Sequence, residues 1–227
     1  MNAFRSVFGA YVRWRIRRGL DGVWVRGLEH ALGAMERGPV VLAPTHVSWW
    51  DGMLLFPLDD ALGRRGRVWM DAENLAKHSF FRPLGALPLD RSGASGLRRS
   101  VREASGWLSG PGRALWVFPQ GKQTPSWLRP LELHPGAAFV ARHTRATLLP
   151  VGLSYGFREA PVPSAVVSIG PPVDPEHLEG GLLRELAATD RFLACGAGGF
   201  EPLIGGASRG TEHSAASRML ALAVGRG

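Results

Sequence analysis

A histidine and an aspartate stand five residues apart in the segment THVSWWD, residues 45–51. A histidine side chain accepts protons near neutral pH, so His46 is a candidate general base for a hydroxyl group. A carboxylate beside an imidazole can hold it in the proton-accepting tautomer and stabilise its charged form, and Asp51 is placed to do this. The spacing predicts the base half of a catalytic triad.

The nucleophile is not expected to come from the protein. We expect no serine on a hydrolase-type nucleophile elbow, and the single cysteine, Cys195, lies far from His46 in a Gly-rich stretch. The hydroxyl group to be activated is therefore predicted to belong to a substrate. The same segment also fits a helix capping box, in which Ser48 and Asp51 satisfy a helix N-terminus, and both interpretations can hold together.

A second motif, FPQG at residues 118–121, follows an apolar run. We predict that this run is a buried strand ending at the same sheet edge as the strand before His46. The backbone N–H groups of the turn, with Lys122 beside them, suit an anionic or polyhydroxyl group, although a strand followed by Pro-x-Gly is also a common turn. A nucleotide-binding P-loop is excluded, because Trp116 stands where that motif requires glycine.

Short apolar or β-branched runs alternate with helical stretches along the chain. This alternation predicts a single α/β domain with a mixed, largely parallel sheet flanked by helices and preceded by an amphipathic N-terminal helix. Strands are predicted at residues 23–26, 40–43, 68–70, 87–89, 114–118, 148–153 and 166–169, and helices begin near residues 51, 73, 94, 135 and 178. Three parts are expected: the helix (1–20), the main domain (21–195), and a tail (196–227) made of a Gly-rich loop at 196–210 and a helix at 212–224.

The first predicted helix, residues 2–18, combines an apolar face with five arginines. Its apolar residues at helical spacing are Phe4, Val7, Phe8, Tyr11 and Val12. One interpretation is an anchor whose apolar face enters a membrane interface while the arginines meet anionic lipid. The other is a helix that packs on the core with its arginines in solvent.

The net charge of +8 and a pI near 11.0 favour anionic partners, namely phospholipid surfaces, phosphorylated substrates or nucleic acid. A single cysteine excludes an intramolecular disulfide and suits a reducing compartment. The histidines form no close pair with metal-ligand spacing, so we expect no metal and no bound cofactor. We find no apolar run long enough to span a bilayer and expect no secretory signal. We therefore expect a cytoplasmic protein that is peripheral on the inner face of the cell membrane.

Four ordered segments resemble the blocks of the glycerolipid acyltransferase family, whose best known members acylate glycerol 3-phosphate or lysophosphatidic acid. Residues 45–51 resemble its N-H-x-S-x-x-D block, and residues 81–91 (FRPLGALPLDR) resemble a Pro-x-x-Gly stretch ending in an apolar-Asp-Arg strand. Residues 118–123 (FPQGKQ) are similar to the F-P-E-G-[TS]-R block. Residues 148–153 (LLPVGL) are similar to a Pro-Val pair on an apolar strand. Four matches in order at suitable spacing are far more specific than any one of them.

The resemblance implies an O-acyltransferase in which His46 is the general base and Asp51 orients it. The implied co-substrate is acyl-CoA or acyl carrier protein, and the implied acceptor is a lysophospholipid such as 1-acylglycerol 3-phosphate. The acceptor-binding candidates are Arg91, Gln120, Gly121 and Lys122. Trp49 and Trp50 are candidates for the acyl channel, although such aromatic residues are at least as often part of the core. An anionic membrane surface is an expected partner, and nucleic acid is not.

The chain departs from the family pattern in its third block. Gln120 and Gln123 stand where the family carries a glutamate and an arginine that help to bind glycerol phosphate, so the acceptor contacts must differ. Lys122 is a candidate for the missing charge. The neutral amides leave a glycolipid or a carotenoid glycoside as alternative acceptors. A non-enzymatic basic protein that binds nucleic acid or lipid is the alternative from another functional class.

Overall fold

The computed structural model describes residues 3–205 and shows one eight-stranded sheet with helices on both faces. The strands are β1 (Gly22–Arg26), β2 (Val40–Pro44), β3 (Gly66–Asp71), β4 (Ala86–Leu89), β5 (Ala114–Trp116), β6 (Thr147–Gly156), β7 (Ser164–Ile169) and β8 (Glu201–Gly205). The helices are α1 (Ala3–Gly19), α2 (Leu28–Arg37), α3 (Asp51–Ala61), α4 (Ala72–Lys77), α5 (Ala94–Trp107), α6 (Gly136–Thr144) and α7 (Leu178–Cys195). Two short 3₁₀ segments are Ser79–Leu84 and Pro175–His177. The predicted α/β fold is confirmed.

The strand order across the sheet is β4-β3-β5-β2-β6-β7-β1-β8. Strands β2 to β6 all run in one direction, because β2 pairs in parallel with β5 and β6, and β3 pairs in parallel with β4 and β5. Strand β7 runs antiparallel to β6, and β1 pairs in parallel with β7, so β1 and β7 run in the opposite direction. The carboxyl ends of β2 to β6 therefore meet at one edge of the sheet, called here the β2 edge.

The chain leaves the neighbouring strands β2 and β5 toward opposite faces of the sheet. Strand β2 leads into α3, whose Leu54 and Leu58 belong to the core formed with α1 and α2. Strand β5 leads to α6, whose Val140 and Ala141 belong to the core formed with α5 and α7. Because a crevice opens outside the carboxyl ends of adjacent strands whose connections diverge, this topology places a binding crevice at the β2 edge.

Helix α1 packs on the domain with one face and leaves a second apolar face outside. Val12 and Ile16 are buried in the core, and the ring of Phe8 packs against Phe56 of α3 at 5.0 Å. Outside, a row of exposed apolar residues continues along the helix: Phe4, Val7, Tyr11 and Trp14. The predicted apolar face is therefore split between core and surface.

The arginines of α1 are likewise divided between protein and surface. Arg5 pairs with Asp59 and Arg13 with Asp60, and both aspartates lie on α3. This corrects the expectation of a fully solvated arginine face, since two of the five guanidinium groups bind α1 to its neighbour.

Two further features differ from the sequence prediction. Residues 201–205, predicted as part of a loop, form β8, because Ile204 packs into the core and the backbone pairs antiparallel with β1. Helix α2 is a further element that the prediction lacks. The helix predicted at residues 212–224 lies outside the described residues.

Within residues 3–205, no helix has both the length and the apolar character needed to cross a bilayer.

Candidate active site

His46 follows the carboxyl end of β2, where the backbone is tied closely to β6. All five residues of β2 are buried, as befits a parallel strand covered on both faces. Thr45, which stands where the family usually has asparagine, donates its backbone N–H to Val151 and accepts the N–H of Leu153 on its hydroxyl over 2.9 Å. These bonds hold the start of the His46 loop against the neighbouring strand.

His46 and Asp51 form a short hydrogen bond between Nδ1 and Oδ2 of 2.7 Å. The carboxylate is fully buried, and Oδ2 also accepts the backbone N–H groups of Val47 at 2.7 Å and Ser48 at 2.9 Å. Because three donors converge on this oxygen, Asp51 is held rigidly as an acceptor for the imidazole. With the Asp51 carboxylate as acceptor, this geometry suits the tautomer that carries the proton on Nδ1 and leaves Nε2 as the basic nitrogen.

The capping interpretation of this segment is half realised. Asp51 accepts the N–H of Ser48, as a capping box requires, but the Ser48 hydroxyl accepts from Trp50 at 3.2 Å rather than from Asp51. The carboxylate therefore caps the turn before α3 and orients His46 at the same time. The two interpretations of the sequence are compatible in the structure.

Tyr155, at the end of β6, contacts the other oxygen of the same carboxylate. Its hydroxyl donates to Asp51 Oδ1 over 2.7 Å. Desolvation of the hydroxyl, followed by the negative charge of Asp51, raises the pKa of Tyr155 well above its ordinary value. The phenol consequently keeps its proton and remains a donor to Asp51. Tyr155 is not among the residues predicted from the sequence, although a polar side chain at the end of a strand adjacent to β2 is a recognisable signal.

The turn of the third block holds the His46 loop from the other side. The side-chain oxygen of Gln120 accepts the backbone N–H of His46 at 2.7 Å, and the N–H of Thr124 donates to the His46 carbonyl at 2.8 Å. The ring of Phe118 lies 4.4 Å from the imidazole, centre to centre. Gln120 is 2% exposed, so its observed contact is with the His46 backbone, and its acceptor-binding part stays a prediction.

A cavity of about 310 Å³ opens beside His46 at the β2 edge. It extends between α3 and strands β3 and β4, and its wall is mostly apolar. The apolar residues that line it include Leu55, Phe56, Val68, Phe81, Leu84 and Leu89. This volume is within the range of roughly 300–1,000 Å³ that is typical of small-molecule sites. An apolar chain could therefore bind in this cavity with one end beside the His46 imidazole.

Charged groups are found at the wall of this cavity as well. Arg91 lines it, and its guanidinium is half exposed and only loosely paired, 3.4 Å from Asp71. Asp59 is buried beside Arg5, and burial raises its pKa above the ordinary value even though Arg5 opposes the shift. Arg91 is thus a cation available at the cavity edge, whereas Arg5 is committed to Asp59.

The other candidate residues lie at different distances from the cavity. Gly121 lines it and has a φ of 66°, a left-handed conformation that glycine adopts without strain. Lys122 is outside the cavity wall, exposed and paired with Glu132 at 3.1 Å. Trp49 lines the cavity, whereas Trp50 packs against the core and against Gly19. The structure therefore brings His46, Arg91, Gly121 and Trp49 together, but not Lys122 or Trp50.

One stretch does match the nucleophile-elbow pattern, contrary to the sequence expectation. Residues 152–156 read GLSYG. Ser154, however, lies within β6, is buried, and shares a 2.7 Å hydrogen bond with Thr189 of α7. It points to the sheet face opposite Tyr155, because successive side chains of a strand alternate. Ser154 is therefore not positioned as a partner of His46.

One cluster within residues 3–205 could present ligand atoms to a metal ion. Asp174, Glu176 and His177 have side-chain ligand atoms within 4.8 Å of one another, and all three are exposed. They follow β7, whose carboxyl end lies opposite the β2 edge. Exposed acidic groups of this kind are common on protein surfaces.

The geometry agrees with a comparison against protein families. A family model described as Acyltransferase matches residues 23–154. The match runs from β1 through most of β6 and contains all four segments singled out in the sequence. It covers more than half of the chain and removes the non-enzymatic alternative. The chain belongs to the glycerolipid acyltransferase family and is an acyltransferase.

Proposed function

We propose that the protein transfers a fatty acyl group from acyl-CoA or acyl carrier protein to the hydroxyl of a lysophospholipid such as 1-acylglycerol 3-phosphate. His46 Nε2 accepts the proton of this hydroxyl as its oxygen attacks the thioester carbonyl carbon. The tetrahedral intermediate then breaks its C–S bond, and the imidazolium returns the proton to the departing thiolate. The products are an ester and a free thiol, so no other reactant is required.

The hydrogen bond between His46 and Asp51 is the observation that carries this mechanism. The 2.7 Å contact at Nδ1 leaves Nε2 as the proton acceptor and places a buried negative charge where the imidazolium forms. The backbone donors from Val47 and Ser48 fix the carboxylate before substrate arrives. Little reorganisation is then needed during proton transfer.

The apolar cavity supports a fatty acyl donor. A donor chain begins directly at the reacting carbonyl, and the cavity likewise begins at His46 and continues into apolar surroundings. Burial of each methylene is worth about 0.8 kcal/mol, which gives a long acyl chain a substantial driving force. Trp49 lies at the wall of this cavity, in keeping with a contact to the chain.

Arg91 supports an anionic acceptor. Its half-exposed guanidinium lies at the cavity wall and can form paired hydrogen bonds with a phosphate group. Lys122 stands near the same turn and could add a second cation by leaving Glu132, since an exposed ion pair is weak. The neutral amides of Gln120 and Gln123 keep a glycolipid or a carotenoid glycoside as the alternative acceptor.

Membrane association at the cytoplasmic face is part of the proposal. The exposed row on α1 (Phe4, Val7, Tyr11 and Trp14) lies next to the basic last turn with Arg17 and Arg18. An apolar row flanked by arginines suits the boundary between headgroups and acyl chains of an anionic bilayer. The acceptor lipid is found at this boundary, so the location would bring enzyme and substrate together.

His46→Ala and Asp51→Asn test the proposal. Release of free thiol from acyl-CoA would be followed with a panel of acceptors: 1-acylglycerol 3-phosphate, glycerol 3-phosphate, a glycolipid and a carotenoid glycoside. We expect His46→Ala to lower kcat by on the order of 10² to 10⁴-fold. Asp51→Asn should lower it by roughly 10³ to 10⁴-fold, because an amide favours the wrong tautomer.

The exposed His177, at the opposite end of the sheet, offers a matched control. His177→Ala removes an imidazole without touching the site and should keep wild-type turnover. Unchanged turnover in His46→Ala would contradict the mechanism. Turnover with the glycolipid or carotenoid glycoside alone would support the mechanism but would show that the acceptor is not a lysophospholipid.

A further inference from the structure

A second apolar cavity, called here the α5–α6 groove, lies on the opposite face of the sheet from α3. Its volume is about 460 Å³. Its walls come from α5, α6 and the ends of β4 and β5, and Leu97 and Phe139 at its rim are both about half exposed.

The α5–α6 groove and the catalytic cavity meet at the β2 edge. Six residues line both of them: Trp69, Leu89, Arg91, Val117, Phe118 and Gly121. Strands β3 and β5 pair only as far as Val68 and Trp116, while β3 continues beside β4 to Asp71. The sheet therefore opens between β3 and β5 just before the edge, and the two cavities adjoin there.

The chemistry of the groove suits a hydrocarbon chain. Among its described lining residues, the only charged or titratable side chains are Arg91 and His134, and both lie at the catalytic end beside Gly121. The indole N–H of Trp69 is already bonded to Pro88 at 3.2 Å. The pantetheine arm of acyl-CoA carries two amide groups that need hydrogen-bond partners, and a groove of this composition serves them poorly.

We propose that the α5–α6 groove binds the acyl acceptor's own hydrocarbon chain, so that the substrate is a lipid that already carries one chain. This inference rests on the proposed function. A donor chain starts at the reacting carbonyl and needs a cavity that includes His46, which only the first cavity does. An acceptor chain is separated from the reacting hydroxyl by several atoms, and the groove correspondingly begins at Arg91 and Gly121.

The assignment of the donor chain to one cavity and the acceptor chain to the other also fixes the position of the acceptor's headgroup. With the acceptor hydroxyl at His46 and the chain in the groove, the polar group between them lies beside Arg91, which both cavities share. A guanidinium at this point can pair with a phosphate while the two chains leave on opposite faces of the sheet. Glycerol 3-phosphate, which has no chain, would leave the groove unused.

Calorimetric binding of acceptors without any acyl donor tests the groove apart from catalysis. 1-Acylglycerol 3-phosphates with chains of roughly four to eight carbons would be titrated below their critical micelle concentrations. We expect the affinity to rise about fourfold per methylene, with a negative heat-capacity change, until the groove is filled. Glycerol 3-phosphate should bind most weakly.

Leu97→Glu places a charge at the rim of the groove. The matched control is Leu32→Glu on α2, because Leu32 is 42% exposed and Leu97 is 45% exposed, and both are helical. We expect Leu97→Glu to weaken binding of the eight-carbon acceptor about tenfold and Leu32→Glu to bind it as the wild type does. Circular dichroism would show that both variants are folded.

Three results would overturn the inference. The first is an acceptor affinity that does not depend on chain length. The second is equal acceptor binding by Leu97→Glu and the wild type. The third is a change in the KM for acyl-CoA in Leu97→Glu without a change in its affinity for the acceptor. Failure of the proposed function gives a different pattern. In that case acceptors would bind with the expected chain-length dependence, but no acceptor would be acylated.

Discussion

Tyr155 donates its phenol hydrogen to Oδ1 of Asp51 over 2.7 Å, while Oδ2 of the same carboxylate accepts from His46 over 2.7 Å. Strand β6 is thereby connected to the His46 imidazole through the Asp51 carboxylate. The contact links β6, the strand that carries the fourth block, to the first block. In the proposed mechanism Tyr155 is therefore a positioning residue, since its hydroxyl bonds to Asp51, which in turn bonds to His46.

Tyr155→Phe should lower kcat about tenfold with little change in KM. Without the phenol, Oδ1 of Asp51 loses its 2.7 Å donor, so the carboxylate holds the His46 imidazole less firmly in its proton-accepting orientation. Thiol release measured over a range of acceptor concentrations separates kcat from KM. Tyr11→Phe is the control, because Tyr11, the only other tyrosine, is exposed on α1. A wild-type kcat in Tyr155→Phe would reduce Tyr155 to a packing residue.

Gln120→Leu should destabilise the protein by about 1–3 kcal/mol, because it leaves the backbone N–H of His46 without the bond seen at 2.7 Å. For a chain of this size the melting temperature should fall by roughly 2–12 °C. Gln123→Leu, at an exposed position in the same turn, should melt like the wild type. Equal melting temperatures for both variants would show that the Gln120 bond contributes nothing to folding.

Arg5→Ala should destabilise the fold most at neutral pH. Burial raises the pKa of Asp59 above its ordinary value, so ionisation of Asp59 costs stability as the pH rises through that pKa. Loss of Arg5 removes the group that lowers this pKa, and we expect a deficit of about 2–4 kcal/mol near pH 7. The deficit should shrink as the pH falls through the raised pKa of Asp59, because the carboxyl then takes up a proton.

Denaturant unfolding at several pH values measures this dependence. Arg13→Ala is the comparison, because its partner Asp60 is more exposed than Asp59 and its loss should depend less on pH. A deficit of Arg5→Ala that does not change between neutral and acidic pH would contradict the assignment to Asp59.

Val7→Glu should weaken binding to anionic vesicles without affecting folding. Val7 is 69% exposed on the outer face of α1, so a carboxylate there meets water in the free protein but opposes both the apolar and the electrostatic attraction of a bilayer. Vesicle co-sedimentation at low and physiological salt gives the affinity. Leu32→Glu, with the same charge change on α2, should bind like the wild type. If both variants bind equally, α1 is not the contact.

The sequence by itself determined the pair His46 and Asp51, because their contact is local. A buried strand ends, a turn follows, and a helix starts at Asp51, so five residues of spacing suffice to bring Nδ1 to the carboxylate. Alternating apolar runs likewise determined the α/β class, since periodicity is a property of short segments. The order of the four blocks identified the family, because each block is likewise a short local segment.

Only the tertiary structure decided which distant groups support the pair. Tyr155 is 104 residues from Asp51, and Gln120 is 74 residues from His46. Their contacts depend on the strand order, which places β5 and β6 on either side of β2, and no local pattern encodes that order. The split face of α1 and the α5–α6 groove arise in the same way, because burial depends on what packs against each surface. Local chemistry predicted the pair of His46 and Asp51, and long-range packing determined what holds the pair and where the two cavities lie.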